Sequence, residues 1–143
     1  MKIKELFLTA VGTCGAVLVK LFGGWNGSIA TLMVFMAIDY MSGLLLAGVF
    51  KKSTKSESGA LESRAGFKGL VRKAETLLIV ALAVRLDMLT HQNFIAGGVV
   101  TAFVANEAIS ITENAAMMGV PLPVVLLRAI DVMKQKKEDE ITE

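Results

Sequence analysis

Six polar side chains stand where the sequence is otherwise apolar: Asp39, Asn106, Glu107, Ser110, Glu113 and Asn114. Carboxylates, amides and a hydroxyl in such surroundings can pair with cations, hydrogen-bond across helices, or line a path for water and ions. Taken as a helix of about 100° per residue, Asn106, Glu107, Ser110, Glu113 and Asn114 fall within about 120° of arc. Val104, Ala108, Ile111 and Ala115 lie opposite. The stripe therefore packs against something polar, in a bundle of one chain or between chains. Nucleophilic chemistry has little support. The one histidine, His91, and the one cysteine, Cys14, are far apart in sequence. There is no glycine-rich phosphate loop, dinucleotide fingerprint or metal-ligand cluster. A paired-carboxylate enzyme built on Asp39 and Glu107 is the weaker reading, because intramembrane acids serve packing and ion paths more often. Thus no cofactor, metal site or catalytic residue is expected.

The elements that must hold these residues are apolar helices. Of 143 residues, 54% are hydrophobic, and mean hydropathy is +0.61. Charge is confined to the N-terminus, to Lys51–Glu75, and to the chain after Arg128; the stretches between are nearly bare, as in a membrane protein. A net charge of +2 gives no reason to expect nucleic acid. Lys2 and Lys4 before an apolar run raise the question of a cleaved signal, but no suitable cleavage site follows, so the first segment is expected to be retained.

Hydropathy predicts an all-α membrane protein with four spans at 6–22, 29–50, 74–89 and 94–118. Gly23-Gly24-Trp25-Asn26-Gly27 reads as a turn with an interfacial Trp. Asp39 lies near the middle of the second span and shares a face with Gly43 and Ala47. Residues 51–73 form a basic linker whose Ser/Lys-rich first part, to Ala60, is expected to be mobile. Its end, Gly66–Lys73, reads as a short helix on an anionic lipid surface, with Lys68, Arg72 and Lys73 as the contacts. The third span, beginning at Ala74, carries Arg85 at a depth similar to that of Asp39, and the two are expected to form an intramembrane pair. Glu107 has no cation matched to it. His91 belongs to a polar turn. After Gly119, Pro121 and Pro123, residues 124–143 read as a short amphipathic helix, ending near Met133, and a disordered charged tail.

The 51–73 linker holds seven basic residues, whereas the turns at 23–28 and 90–93 hold none. The positive-inside rule then places both termini and the linker in the cytoplasm.

Several short motifs occur in a characteristic order: Asp39-Tyr40-Met41-Ser42-Gly43, Gly66-Phe67-Lys68-Gly69-Leu70 with Lys73, Leu86-Asp87, the run Asn106–Asn114, and Gly119-Val120-Pro121-Leu122-Pro123. Together, over roughly Thr31 to Leu127, they resemble the small phage lysis holins, a family that also includes clostridial toxin-secretion proteins. The Ser53–Ser63 linker is longer than that resemblance leads one to expect. The resemblance implies a non-enzymatic multi-pass protein of the host bacterial cytoplasmic membrane. Its partners would be the lipid bilayer and other copies of itself. It would form timed lesions that release an endolysin, or a toxin, without touching that cargo. The polar stripe and Asp39 are the assembly or lining candidates. A small ion channel or transporter is the alternative, and an antiholin-like regulator a third reading.

Overall fold

The computed structural model describes residues 2–24 and 26–142; the expected interfacial Trp25 lies outside them. All regular structure among the described residues is helical. Helix α1 spans Ile3–Leu21 and α2 spans Gly27–Leu45, continuing through a π turn to Phe50; α3 spans Ser63–Thr90, α4 Ile95–Met117 and α5 Val124–Thr142. Two of these, Gly27–Phe50 and Ile95–Met117, are long and apolar enough to cross a membrane.

Helices α2, α3 and α4 pack together because each carries an inward stripe at helical spacing. On α2 it is Ile29, Leu32, Met36 and Asp39; on α3 it is Lys73, Leu77, Val80 and Val84. On α4 the stripe runs through Val100, Glu107 and Asn114. The apolar members Ile29, Leu32, Met36, Val80, Val84 and Val100 form one core, flanked by Phe22, Leu77, Phe103 and Val104. Leu32 and Val80 have no exposed surface at all. This core occupies the end of the bundle where α2 begins and the α3–α4 turn sits. The polar members of the same stripes meet at the other end.

That turn is built by Asp87. Its carboxylate accepts from the backbone N–H groups of Ile95, at 3.0 Å, and Ala96, at 2.8 Å, at the start of α4. No side chain on α4 caps its own first turn, so a residue on α3 satisfies donors that a helix start leaves open. His91 ends α3 in the left-handed region, φ 54°, and Gln92 N–H closes the turn on the Asp87 carbonyl. Asp87→Ala is expected to cost about 1 kcal/mol, with Asp87→Asn recovering part of it. Denaturant titration of the purified chain would show this; equal stability of Asp87→Ala and the parent would rule the cap out.

Two expectations about the remaining segments need correction. Gly66–Lys73 is not a separate surface helix: it belongs to the first turns of the 28-residue α3, because no proline interrupts the chain between Ser63 and Thr90 and the helix runs through Gly66 and Gly69. The 51–60 stretch makes hydrogen bonds within its own turns. Ser53 N–H donates to the Gly59 carbonyl at 2.9 Å, and the Ser56 hydroxyl donates to the Ala60 carbonyl at 2.8 Å. Gly59, at φ +73°, is needed there, since a Cβ would come within 2.6 Å of the Lys51 carbonyl oxygen. The C-terminal helix does not stop near Met133 but continues to Thr142, as its Lys- and Glu-rich sequence favours helix. Helix α5 lies against α4 and buries Ile130. Helix α1 buries no side chain.

Candidate functional site: an ionic cluster at the polar end of the bundle

Lys73 is the centre of the site. Its Nζ donates to Asp39 Oδ2 on α2 at 2.8 Å and to Glu107 Oε2 on α4 at 2.6 Å. The three side chains are largely buried, at 14%, 6% and 14% exposure for Lys73, Asp39 and Glu107. A charge in such surroundings persists only when it is paired, and each helix of the bundle supplies one partner. Asn114 closes the far side: its Nδ2 donates to Asp39 Oδ1 at 3.3 Å and to the Ser42 hydroxyl oxygen at 2.9 Å. The Ser42 hydroxyl in turn donates to the Asp39 carbonyl. Among the described residues no buried side-chain nitrogen or oxygen lacks a hydrogen bond.

A second cation approaches from the loop. Lys55 Nζ lies 4.0 Å from Asp39 Oδ2 with half of its side chain exposed. With Lys55 included, two carboxylates face two ammonium groups, and the cluster is formally neutral. Beside it is a cavity of about 430 Å³ reaching from the loop to the carboxylates; Lys55, Arg72, Ser110 and Asn106 are among its lining. Gly66 and Gly69 let the Tyr40 ring lie against α3 on this side. The arrangement supplies fixed charge and hydrogen bonds inside an apolar bundle. It contains no nucleophile–base pair, and no cluster of metal-ligating side chains occurs among the described residues.

The expected site residues divide. Asp39, Glu107 and Asn114 are joined in the cluster, and Ser110 and Asn106 line the adjoining cavity. Asn106 and Glu113 are exposed on the side of α4. Lys68 and Arg72 are exposed on α3, whereas Lys73, expected at the lipid surface, points inward.

The Asp39–Arg85 pair does not form. Arg85 is near the Thr90 end of α3, where its guanidinium donates to the Lys20 carbonyl at 3.0 Å. The physical reason is the start of α3. Counting depth from Ala74 put Arg85 level with Asp39; with the helix beginning at Ser63, Lys73 has the shorter reach. The cation missing for Glu107 is that same Lys73. One signal in the sequence points to it: Lys73 precedes Leu77, Val80 and Val84 by four, seven and eleven positions on α3's inward stripe.

Residues 16–135 match the bacteriophage holin family. The chain belongs to this family. An uncharacterized protein of Listeria innocua is 38% identical over 128 residues, 88% of this chain and 85% of its own length. An uncharacterized 14.9 kDa protein of Clostridium perfringens is 34% identical over 125 residues, 86% of this chain and 89% of its own length. A probable holin of Bacillus phage phi105 is 33% identical over 110 residues, 76% of each chain. No solved structure matches. Membership in the holin family, with two long apolar helices, identifies a membrane protein and points away from enzymatic activity.

Proposed function

We propose that this protein is a phage holin that inserts in the host cytoplasmic membrane, accumulates, and then assembles into lesions through which a cytoplasmic endolysin reaches the cell wall. The observation that carries the reading is the Asp39–Lys73–Glu107 cluster in a chain of the holin family. With Lys55 counted, its charges neutralise one another inside one copy, which lets a single copy remain in a bilayer until enough copies collect. Four spans with both termini in the cytoplasm are the topology we favour. Helix α1, with 19 residues, would reach about 28 Å and α3 more than the ~30 Å hydrocarbon thickness. The seven basic residues of 51–73 would then be cytoplasmic. A toxin is the other cargo consistent with the resemblance to secretion proteins.

Within this reading the inward groups, Asp39, Glu107, Ser110 and Asn114, hold the single copy together. The exposed pair, Asn106 and Glu113, forms the assembly face. Polar contacts between helices in lipid contribute about 0.6–2 kcal/mol each, enough to shift a concentration-dependent assembly. A small ion channel is the second reading, supported by the cavity that runs to Asp39 and Glu107.

Induced expression in a bacterium, with and without a cytoplasmic muralytic enzyme, tests the proposal by culture turbidity and membrane potential. Abrupt collapse of the potential is expected at a reproducible time, with lysis only when the enzyme is present. Glu113→Ala is expected to delay that collapse severalfold at equal membrane abundance. Steady growth despite confirmed insertion would overturn the holin role. A discrete, ion-selective conductance that never passes protein would favour the channel.

A further inference from the structure

At its Ser63 end, α3 presents two unlike faces. Lys73 points into the bundle. Arg64, Lys68 and Arg72 recur every fourth residue, so they form a single stripe that drifts by about 40° per step. Arg64 and Lys68 lie on the side of the helix away from Lys73, and Arg72, about 100° round from it, borders the cavity beside the cluster. All three are exposed, and none makes an ion pair with a described residue. Phe67 and Val71 run beside them, 67% and 50% exposed. One acid, Glu75, follows on the same stripe. Beyond it the outer face of α3 is apolar through Leu78 and Leu82, both exposed, until Arg85 near the Thr90 end.

The change from basic to apolar side chains marks a level along the helix. Helix α3 has 28 residues and is about 42 Å long, exceeding a ~30 Å hydrocarbon core by about two turns. On the four-span topology proposed above, on which this inference rests, the outer face around Leu78 and Leu82 lies within the acyl chains. The surplus falls at the Ser63 end, where the basic stripe begins. Basic side chains there stand at the height of the headgroup phosphates, and the neighbouring aromatic and aliphatic groups can enter the acyl boundary.

We infer that the Arg64–Lys68–Arg72 face of α3 binds the phosphate headgroups of anionic phospholipids, with Phe67 and Val71 seated among the upper acyl carbons. This face differs from the ionic cluster in kind. Its cations are exposed and make no ion pair with a described residue, so they are open to counter-charge from outside the chain. Anionic lipid supplies that charge at the right height and in a continuous layer. The inference does not depend on lysis, because lipid preference can be measured in vesicles in which nothing is lysed.

The test uses the full chain in vesicles of phosphatidylcholine with about a quarter phosphatidylglycerol. Spin-labelled lipids report relative association with the protein. Each basic residue near the surface favours anionic lipid by about fivefold, so a preference of at least about tenfold for phosphatidylglycerol is expected at low salt. It should fall as sodium chloride is raised. Arg64→Gln/Lys68→Gln/Arg72→Gln should bring it close to parity, while Arg64→Lys/Lys68→Arg/Arg72→Lys keeps it. Lys134→Gln/Lys136→Gln, which removes basic residues elsewhere, should also keep it. The inference fails if the triple Gln variant retains the preference, or if the Lys134/Lys136 variant loses it. The salt titration needs no variant: a native protein whose lipid preference is absent, or indifferent to salt, overturns the inference by itself.

Discussion

Replacing Lys73 by Met is expected to destabilise the bundle by about 3–5 kcal/mol, the usual cost of leaving buried charge without its partner. The substitution preserves length and apolar volume but deletes both of the ammonium's hydrogen bonds. Asp39 and Glu107 then face each other at 6% and 14% exposure, with Lys55 as a partial and solvated substitute. Three helices lose the group that ties them together. Denaturation of the purified chain in micelles, followed by circular dichroism, measures the loss. The triple variant Asp39→Asn/Lys73→Met/Glu107→Gln should recover most of it, since replacing a whole buried ionic group is often close to neutral. Reversing Asp39 and Arg85 together should rescue nothing, because these residues do not meet. A Lys73→Met protein as stable as the parent, or a triple variant no better than the single, would refute the role assigned to the cluster.

Leu32→Ala is expected to cost about 2–5 kcal/mol for a different reason. Leu32 has no exposed surface and packs in the core with Ile29, Met36, Val80, Val84 and Val100. Truncation leaves a cavity between α2, α3 and α4 that the stiff β-branched Ile29, Val80, Val84 and Val100 cannot fill, leaving Met36 as the one flexible neighbour. Its neighbour Met33 is 47% exposed and points away from the core, so Met33→Ala should change stability by no more than about 0.5 kcal/mol. The same denaturation experiment compares the two. Similar costs at both positions would mean that α2 is rotated relative to the packing described here, which would also displace Asp39 from its partners.

The two predictions concern opposite ends of one construction. Apolar stripe residues close the end of the bundle near the Asp87 turn, and charged residues in register with them close the other. Sequence periodicity was sufficient to place Asp39 on an inward face, because Gly43 and Ala47 share its spacing. It was sufficient, too, to set Glu107 and Asn114 on one side of α4. It did not reveal that this side is shared between a buried part and an exposed edge at Asn106 and Glu113, since 120° of helix surface can meet a neighbour over only part of its width.

The identity of the central cation was lost through a boundary. Charge density suggested that the membrane-associated helix begins at Ala74, yet helix formation depends on backbone hydrogen bonds and continues through Arg72 and Lys73 without a breaker. A lysine can sit in a bundle interior when two carboxylates receive it, so its charge did not mark the end of the packed helix. The charged tail is helical to Thr142 for a related reason: Lys and Glu are good helix formers, so charge alone does not end a helix.

The sequence by itself determined an all-helical chain, its apolar segments and the residues too polar to be left alone among them. It also carried the ordered motifs of the holin family. Only the tertiary structure decided which cation meets Asp39 and Glu107, that Arg85 is not that cation, and that a carboxylate on α3 caps α4. The reason is that pairing depends on the relative height and rotation of three packed helices. A single strand of sequence specifies each helix's own stripe but not the register between them.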